Sequence, residues 1–218
     1  MTDLCANCDA PLKIGMISSN VAFTGPELKL INMSGEEPLA AACTKCGGDG
    51  FAEAKLELQR ELTSARSTLT KILPYLPIVS LQNPHDWKYT AIGVVTAQTV
   101  TGTGIFSDVA SAFTDVFGTQ SNTYNSKLRE GENLCKLSLR SQTAELGGNA
   151  ILAVDVDYAE VGGQRAMLMV CMTGTAVNIT NTEIVDADFG SRSEEAKRLV
   201  ARIREVSSVL TKAGCSVN

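Results

Sequence analysis

An α+β fold is predicted from three observations. Three stretches, 89–101, 149–158 and 166–179, read as strands of a small sheet, the first of them rich in β-branched residues. Apolar residues spaced three and four apart mark helices over 51–73, 121–146 and 191–214. Two Cys-x-x-Cys pairs in the first 50 residues mark a metal-held module ahead of them.

The composition sets the limits. A chain of 218 residues with a net charge of −5 can bury a sizeable core and has no general affinity for nucleic acid or anionic lipid. No apolar run is long enough to span a membrane. Met1-Thr2-Asp3 opens without the basic stretch and apolar core of a secretory signal. With the odd count of seven cysteines, this predicts a reducing compartment, the cytoplasm. His85 is the single histidine, so histidine relays and multi-histidine metal sites are excluded.

The first element is the module over residues 1–50. Cys5-Ala-Asn-Cys8 and Cys43-Thr-Lys-Cys46 each place two thiols on one knuckle, able to face a common point about 2.3 Å away. Four thiolates leave no open position for water, so the expected ion is a structural Zn²⁺ at Cys5, Cys8, Cys43 and Cys46. Gly47 and Gly48 give the second knuckle a permissive backbone. Between the pairs, Lys13–Ile17 and Leu28–Met33 read as short strands, with Thr24-Gly25-Pro26 and Ser34-Gly35-Glu36 as turns. Zinc ribbons often bind nucleic acid. Here three lysines face six carboxylates, so a protein contact or simple structural capping is the better expectation.

The helix over 51–73 carries Leu58, Leu62, Ala65, Leu69 and Ile72 on one stripe, and Pro74 stops it. Its narrow stripe suits a helix–helix seam. Pro74, Pro77 and Pro84 then make 74–88 an extended linker. His85 lies in it beside Asp86. No nucleophile motif accompanies the pair, so it reads as a turn histidine.

The domain over 89–180 opens with the strand 89–101. A turn at Gly102 and Gly104 leads to a helix over Ile105–Phe117. Ser107 stands where a dinucleotide fingerprint needs its third glycine, and another helix follows instead of a strand. That motif is therefore rejected. The helix 121–146 ends at Gly147-Gly148, and strands 149–158 and 166–179 follow around a turn at Gly162-Gly163. Asp155 and Asp157 share one strand face; paired carboxylates can hold a hard cation or do acid–base work, but a solvated strand end or a pairing with an arginine is the better expectation. Met167, Met169 and Cys171 share a face of the last strand; three soft sulfurs there could hold a soft metal ion, but core packing is the better expectation. Leu168, Val170 and Met172 opposite them predict burial on both faces. Cys135 reads as a small core residue. A capping box at Ser191-Arg192-Ser193-Glu194 starts the last helix, with Leu199, Ile203, Val206 and Leu210 on its stripe. This stripe matches that of 51–73, and the two helices are expected to pair.

The domain resembles the YbjQ family, a widespread bacterial family labelled heavy-metal-binding. The residues that carry the resemblance are Gly93-Val94-Val95-Thr96, Ile105-Phe106-Ser107-Asp108, Tyr124, Leu146-Gly147-Gly148-Asn149-Ala150, Asp155-Val156-Asp157-Tyr158, Met167-Leu168-Met169-Val170 and Gly174-Thr175-Ala176-Val177. The resemblance implies a small antiparallel sheet carrying helices, assembled as a homo-oligomeric ring, usually a pentamer, with no established reaction. The sequence departs at Gly118-Thr119-Gln120, where the family usually has Gly-Gly-Arg. The expectation is a non-enzymatic, zinc-binding oligomeric scaffold or partner-binding module. Its alternatives are a soft-metal sensor and an enzyme using Asp155, Asp157 or Tyr124 at subunit boundaries.

Overall fold

The chain runs α1 (Gly25–Ser34), α2 (Thr44–Ile72), β1 (Tyr89–Val100), α3 (Tyr124–Glu145), β2 (Ala150–Val161), β3 (Met167–Ile179) and α4 (Phe189–Lys212), with 3₁₀ turns at Leu73–Tyr75 and Thr182–Ile184. The computed structural model describes residues 3–14, 19–35, 37–100, 124–161 and 167–217. The expected helix 105–117, the Gly102–Gly104 and Gly162–Gly163 turns and the Gly118-Thr119-Gln120 departure lie outside the described residues, as do the side chains of Tyr124 and Met167. Two units are distinguished: residues 1–67 with 201–218, and residues 68–200.

In the first unit, the stretch read as a strand over Leu28–Met33 is helix α1. The reason lies just before it. Thr24 and Glu27 form a capping box: Thr24 Oγ1 accepts from the Glu27 amide, and Glu27 Oε2 accepts from the Thr24 amide at 2.6 Å. Pro26 sits in the first turn, where its fixed φ suits a helix. The Thr24-Gly25-Pro26 turn is thus a helix start. The other expected strand, Lys13–Ile17, shows a single bridge, Lys13 to Asn20, within its described residues.

Helix α2 starts seven residues before the expected 51, inside the second cysteine pair. Its early glycines each cost about 1 kcal/mol relative to alanine, which hides the start from propensity. Gly47 is required by packing, since a Cβ there would lie 3.0 Å from both Ala42 Cβ and Phe23 Cε2. Phe23 stacks on Phe51 with centroids 5.2 Å apart. Leu58 and Leu62 of α2 pack with Leu30 of α1 and with Val206, Val209 and Leu210 of α4. Arg202 of α4 grips Glu61 with two hydrogen bonds, Nε to Oε1 at 2.7 Å and Nη2 to Oε2 at 2.9 Å. The two striped helices pair within one chain.

In the second unit, the sheet order is β1–β3–β2, antiparallel throughout. Helix α3 covers one face, with Leu128, Cys135 and Leu139 packed against Val95, Val170 and Met172. The opposite face is open at Thr96, Gln98, Asp155, Asp157 and Thr173. Strand β3 is therefore not buried on both sides as its pattern predicted: Leu168, Val170 and Met172 are buried, while Met169 and Cys171 are half-buried and Thr173 is exposed. Gly147 at φ 85° ends α3. Gly148 sits so close to the sheet that a Cβ would meet Thr143 Cγ2 at 2.8 Å and the Val177 carbonyl at 2.9 Å.

The proline-bearing stretch 74–88 is tied to β2. Ile78 bridges Ile151 in parallel, the Ile151 amide donates to the Pro77 carbonyl at 2.9 Å, and the Ala153 amide donates to Leu81 at 3.1 Å. Helix α4 begins at Phe189, ahead of the expected capping box. Phe189 is fully buried against Ala150, Leu152, Val177 and Ile179, which draws the first turn onto the sheet. Ser191, the expected cap, therefore lies inside the helix, its Oγ donating to the Asp188 carbonyl at 2.8 Å.

Candidate metal centre

The first knuckle closes on itself. The Cys5 amide donates to the Ala10 carbonyl and the Asp9 amide to the Cys5 carbonyl, each at 2.9 Å, and Asp9 takes a left-handed φ of 55° to finish the turn. The second knuckle is the start of α2. Cys43 bridges Ala22, and the Cys46 and Gly47 amides donate to the Cys43 carbonyl at 3.1 and 2.8 Å. Asn20 holds this helix start, its Oδ1 accepting from the Lys45 amide at 3.1 Å and from Thr44 Oγ1 at 3.2 Å.

These turns bring the four predicted sulfurs together. Cys5 to Cys46 is 3.9 Å, Cys8 to Cys43 is 3.7 Å and Cys43 to Cys46 is 3.7 Å. All four ligand atoms lie within 4.8 Å of one another. A tetrahedral ion with bonds of about 2.3 Å needs sulfur–sulfur edges of about 3.8 Å, so the donor set fits a tetrathiolate site. Zn²⁺ held there would be coordinatively closed and would act as a cross-link between the knuckles.

The thiols are tuned apart by this crowding. The Ala10 amide favours a thiolate at Cys8, yet burial and the three neighbouring sulfurs push its pKa up to about 12. Burial opposes ionisation of Cys43, but the amides of Cys46 and Lys45 bring it down to about 6. Cys46 is also lowered, first by the Cys43 amide, 3.4 Å from its sulfur, and further by Asn7 Nδ2 at 3.6 Å. Asn7 and Asn20 were not singled out in the sequence. Asn7 lies inside the first cysteine pair and Asn20 between the two pairs, and that position is the signal that could have found them.

The other candidates do not gather. His85 Nδ1 lies 2.7 Å from Asp86 Oδ2, but the histidine side chain is 93% exposed. Asp155 and Asp157 line an open groove of about 320 Å³ with Thr96, Gln98, Cys171 and Thr173. Asp157 sits opposite Cys171, and Asp155 opposite Thr173. Among the described residues, only the cysteine quartet brings three or more cysteine, histidine or carboxylate donors close enough for one ion. Cys135 is fully buried on the sheet-facing side of α3, its Sγ donating to the Val170 carbonyl at 3.5 Å, and burial pushes its thiol up. It is the core residue expected.

Residues 78–180 match the YbjQ family, whose description is "Putative heavy-metal-binding". By this match the stretch resembles a YbjQ-type domain. The match begins at Ile78, the residue that bridges β2, which places the sheet-edge segment within the domain. The YbjQ-type domain lies after the cysteine quartet, so the family's metal label and the thiolate site fall on different stretches. A solved structure from Pediococcus pentosaceus, titled as a protein of unknown function belonging to the DUF74 family, is 18% identical with a TM-score of 0.30; the match covers 47% of this chain and 95% of that one.

Proposed function

We propose that the protein is a non-catalytic module in which Cys5, Cys8, Cys43 and Cys46 hold one structural Zn²⁺ and the YbjQ-type domain assembles copies of the chain into a ring. Metal binding is supported by the quartet and by the family's description. The observation that carries the reading is the set of 3.7–3.9 Å sulfur spacings, the edges of a tetrahedral thiolate site. Zinc is preferred over softer or redox-active ions because four thiolates in closed geometry suit it and supply no open position. The unpaired cysteines accord with a cytoplasmic setting. No helix among the described residues is long and apolar enough to cross a membrane. The zinc-held knuckles offer a surface to a protein partner; the acidic excess around them disfavours nucleic acid.

Elemental analysis of chelator-washed, full-length protein tests the reading. One equivalent of zinc per chain is expected. A chain carrying no metal, or carrying its metal after all four cysteines are replaced, overturns it.

A further inference from the structure

The four sulfurs are alike in chemistry but not in reach. Cys5 and Cys43 are 3% and 0% exposed, while Cys8 and Cys46 are exposed. The Cys46 sulfur is held in place by two N–H donors, the Cys43 amide at 3.4 Å and Asn7 Nδ2 at 3.6 Å. Directly behind it, 3.7 Å away, lies the Cys43 sulfur, which no oxidant in solution can meet first. The pair shares one tight turn, held by two amides on the Cys43 carbonyl. Cys8 is as near to Cys43, at 3.7 Å, but sits on the other knuckle. A bond within one turn orders the least chain.

We infer that Cys46 and Cys43 form a peroxide-oxidisable pair whose disulfide reversibly releases the metal ion. The inference rests on the zinc reading above. The Cys46 thiolate attacks one oxygen of hydrogen peroxide; the S–O bond forms, the O–O bond breaks, and hydroxide leaves to become water on protonation. The Cys43 thiolate then attacks the Cys46 sulfur; the S–S bond forms, the S–O bond breaks, and a second hydroxide leaves and is protonated. Two thiolates lose two electrons, and peroxide gains them. Cys5 and Cys8 alone do not make a closed zinc site, so affinity for the ion falls. A dithiol reductant reverses the step.

The test is a peroxide titration of the zinc-loaded, full-length protein, with a metallochromic dye reading free zinc and non-reducing peptide mapping reading the bond. Release of one zinc per chain is expected together with a Cys43–Cys46 disulfide, both reversed by dithiothreitol. Cys46→His keeps four zinc ligands but removes one partner of the disulfide, and is expected to retain zinc at the same dose. Zinc retained by the wild type, a disulfide mapped to Cys8 instead, or equal release from a zinc-loaded Cys46→His overturns the inference. If that variant loads no zinc, the wild-type map decides. A purified chain without metal overturns the zinc reading and the release step with it; a Cys43–Cys46 disulfide mapped in that chain would still establish the thiol pair by itself.

Discussion

Asn149 shows what a single residue does in the YbjQ-type domain. It is 2% exposed, and its side chain spans to β3, accepting from the Ile179 amide at 2.7 Å and donating to the Ile179 carbonyl at 3.0 Å. Asn149→Ala leaves both backbone groups buried and unpaired, so a loss of about 2 kcal/mol is expected in urea unfolding. A loss below about 0.5 kcal/mol, the range of ordinary surface substitutions, would contradict this role. The motif Gly147-Gly148-Asn149 was visible in the sequence, but its purpose was not, because the partner lies 30 residues away. The cysteine quartet was more legible, since Cys-x-x-Cys spacing encodes its own local geometry. Cys43→Ser is expected to remove the metal and loosen residues 3–14 while β1–β3 stay folded. Elemental analysis checks the first part, and amide hydrogen exchange resolves the two stretches. Retained zinc would contradict the assignment of that ligand.

At the scale of elements, propensity and pattern were read correctly where the stripe was long and failed where capping decided. The stripe on α2 put Leu58 and Leu62 on a helix–helix seam, and both pack there against Val206, Val209 and Leu210 of α4. Alternating apolar residues in α1 suggested a strand until Thr24 and Glu27 closed their box. The pairing of α2 with α4 can be tested through Glu61. Hydrogen bonds from Arg202 hold its carboxyl below the ordinary value of 4.5, with burial opposing them. A carboxylate lowered in the folded state adds stability above its unfolded pKa and loses it as the pH falls through the folded one. Both side chains are 38% exposed, so solvent limits the pair to about 0.5 kcal/mol. Glu61→Gln is expected to be less stable by about that amount at pH 7 at low salt, with the difference vanishing once the pH falls below the carboxylate range. A difference that persists in acid would mean the residue acts by packing.

The largest scale is the assembly, which we propose as a homo-oligomer. The sheet has three strands and its helix α3 lies on one face. On the other face of β1, Val94 is 72% exposed, above the exposed row Thr96 and Gln98. A three-stranded sheet needs cover on its apolar surface to be stable, and identical chains supply it most safely in closed cyclic symmetry, which leaves no growing end. The count of five comes from the YbjQ resemblance and not from the geometry of one chain. Light scattering coupled to size exclusion is expected to give a mass about five times 23.1 kDa. Val94→Lys places a charge on the open face and is expected to shift the mass toward the monomer with helix content unchanged, since that side chain is not part of the α3-facing core. A wild-type mass near 23.1 kDa at micromolar concentration would overturn the oligomer, and a stable dimer or trimer would overturn only the number. If Val94→Lys keeps the full mass, the ring closes through another surface, and the open face with Asp155 and Asp157 is then left free on every subunit.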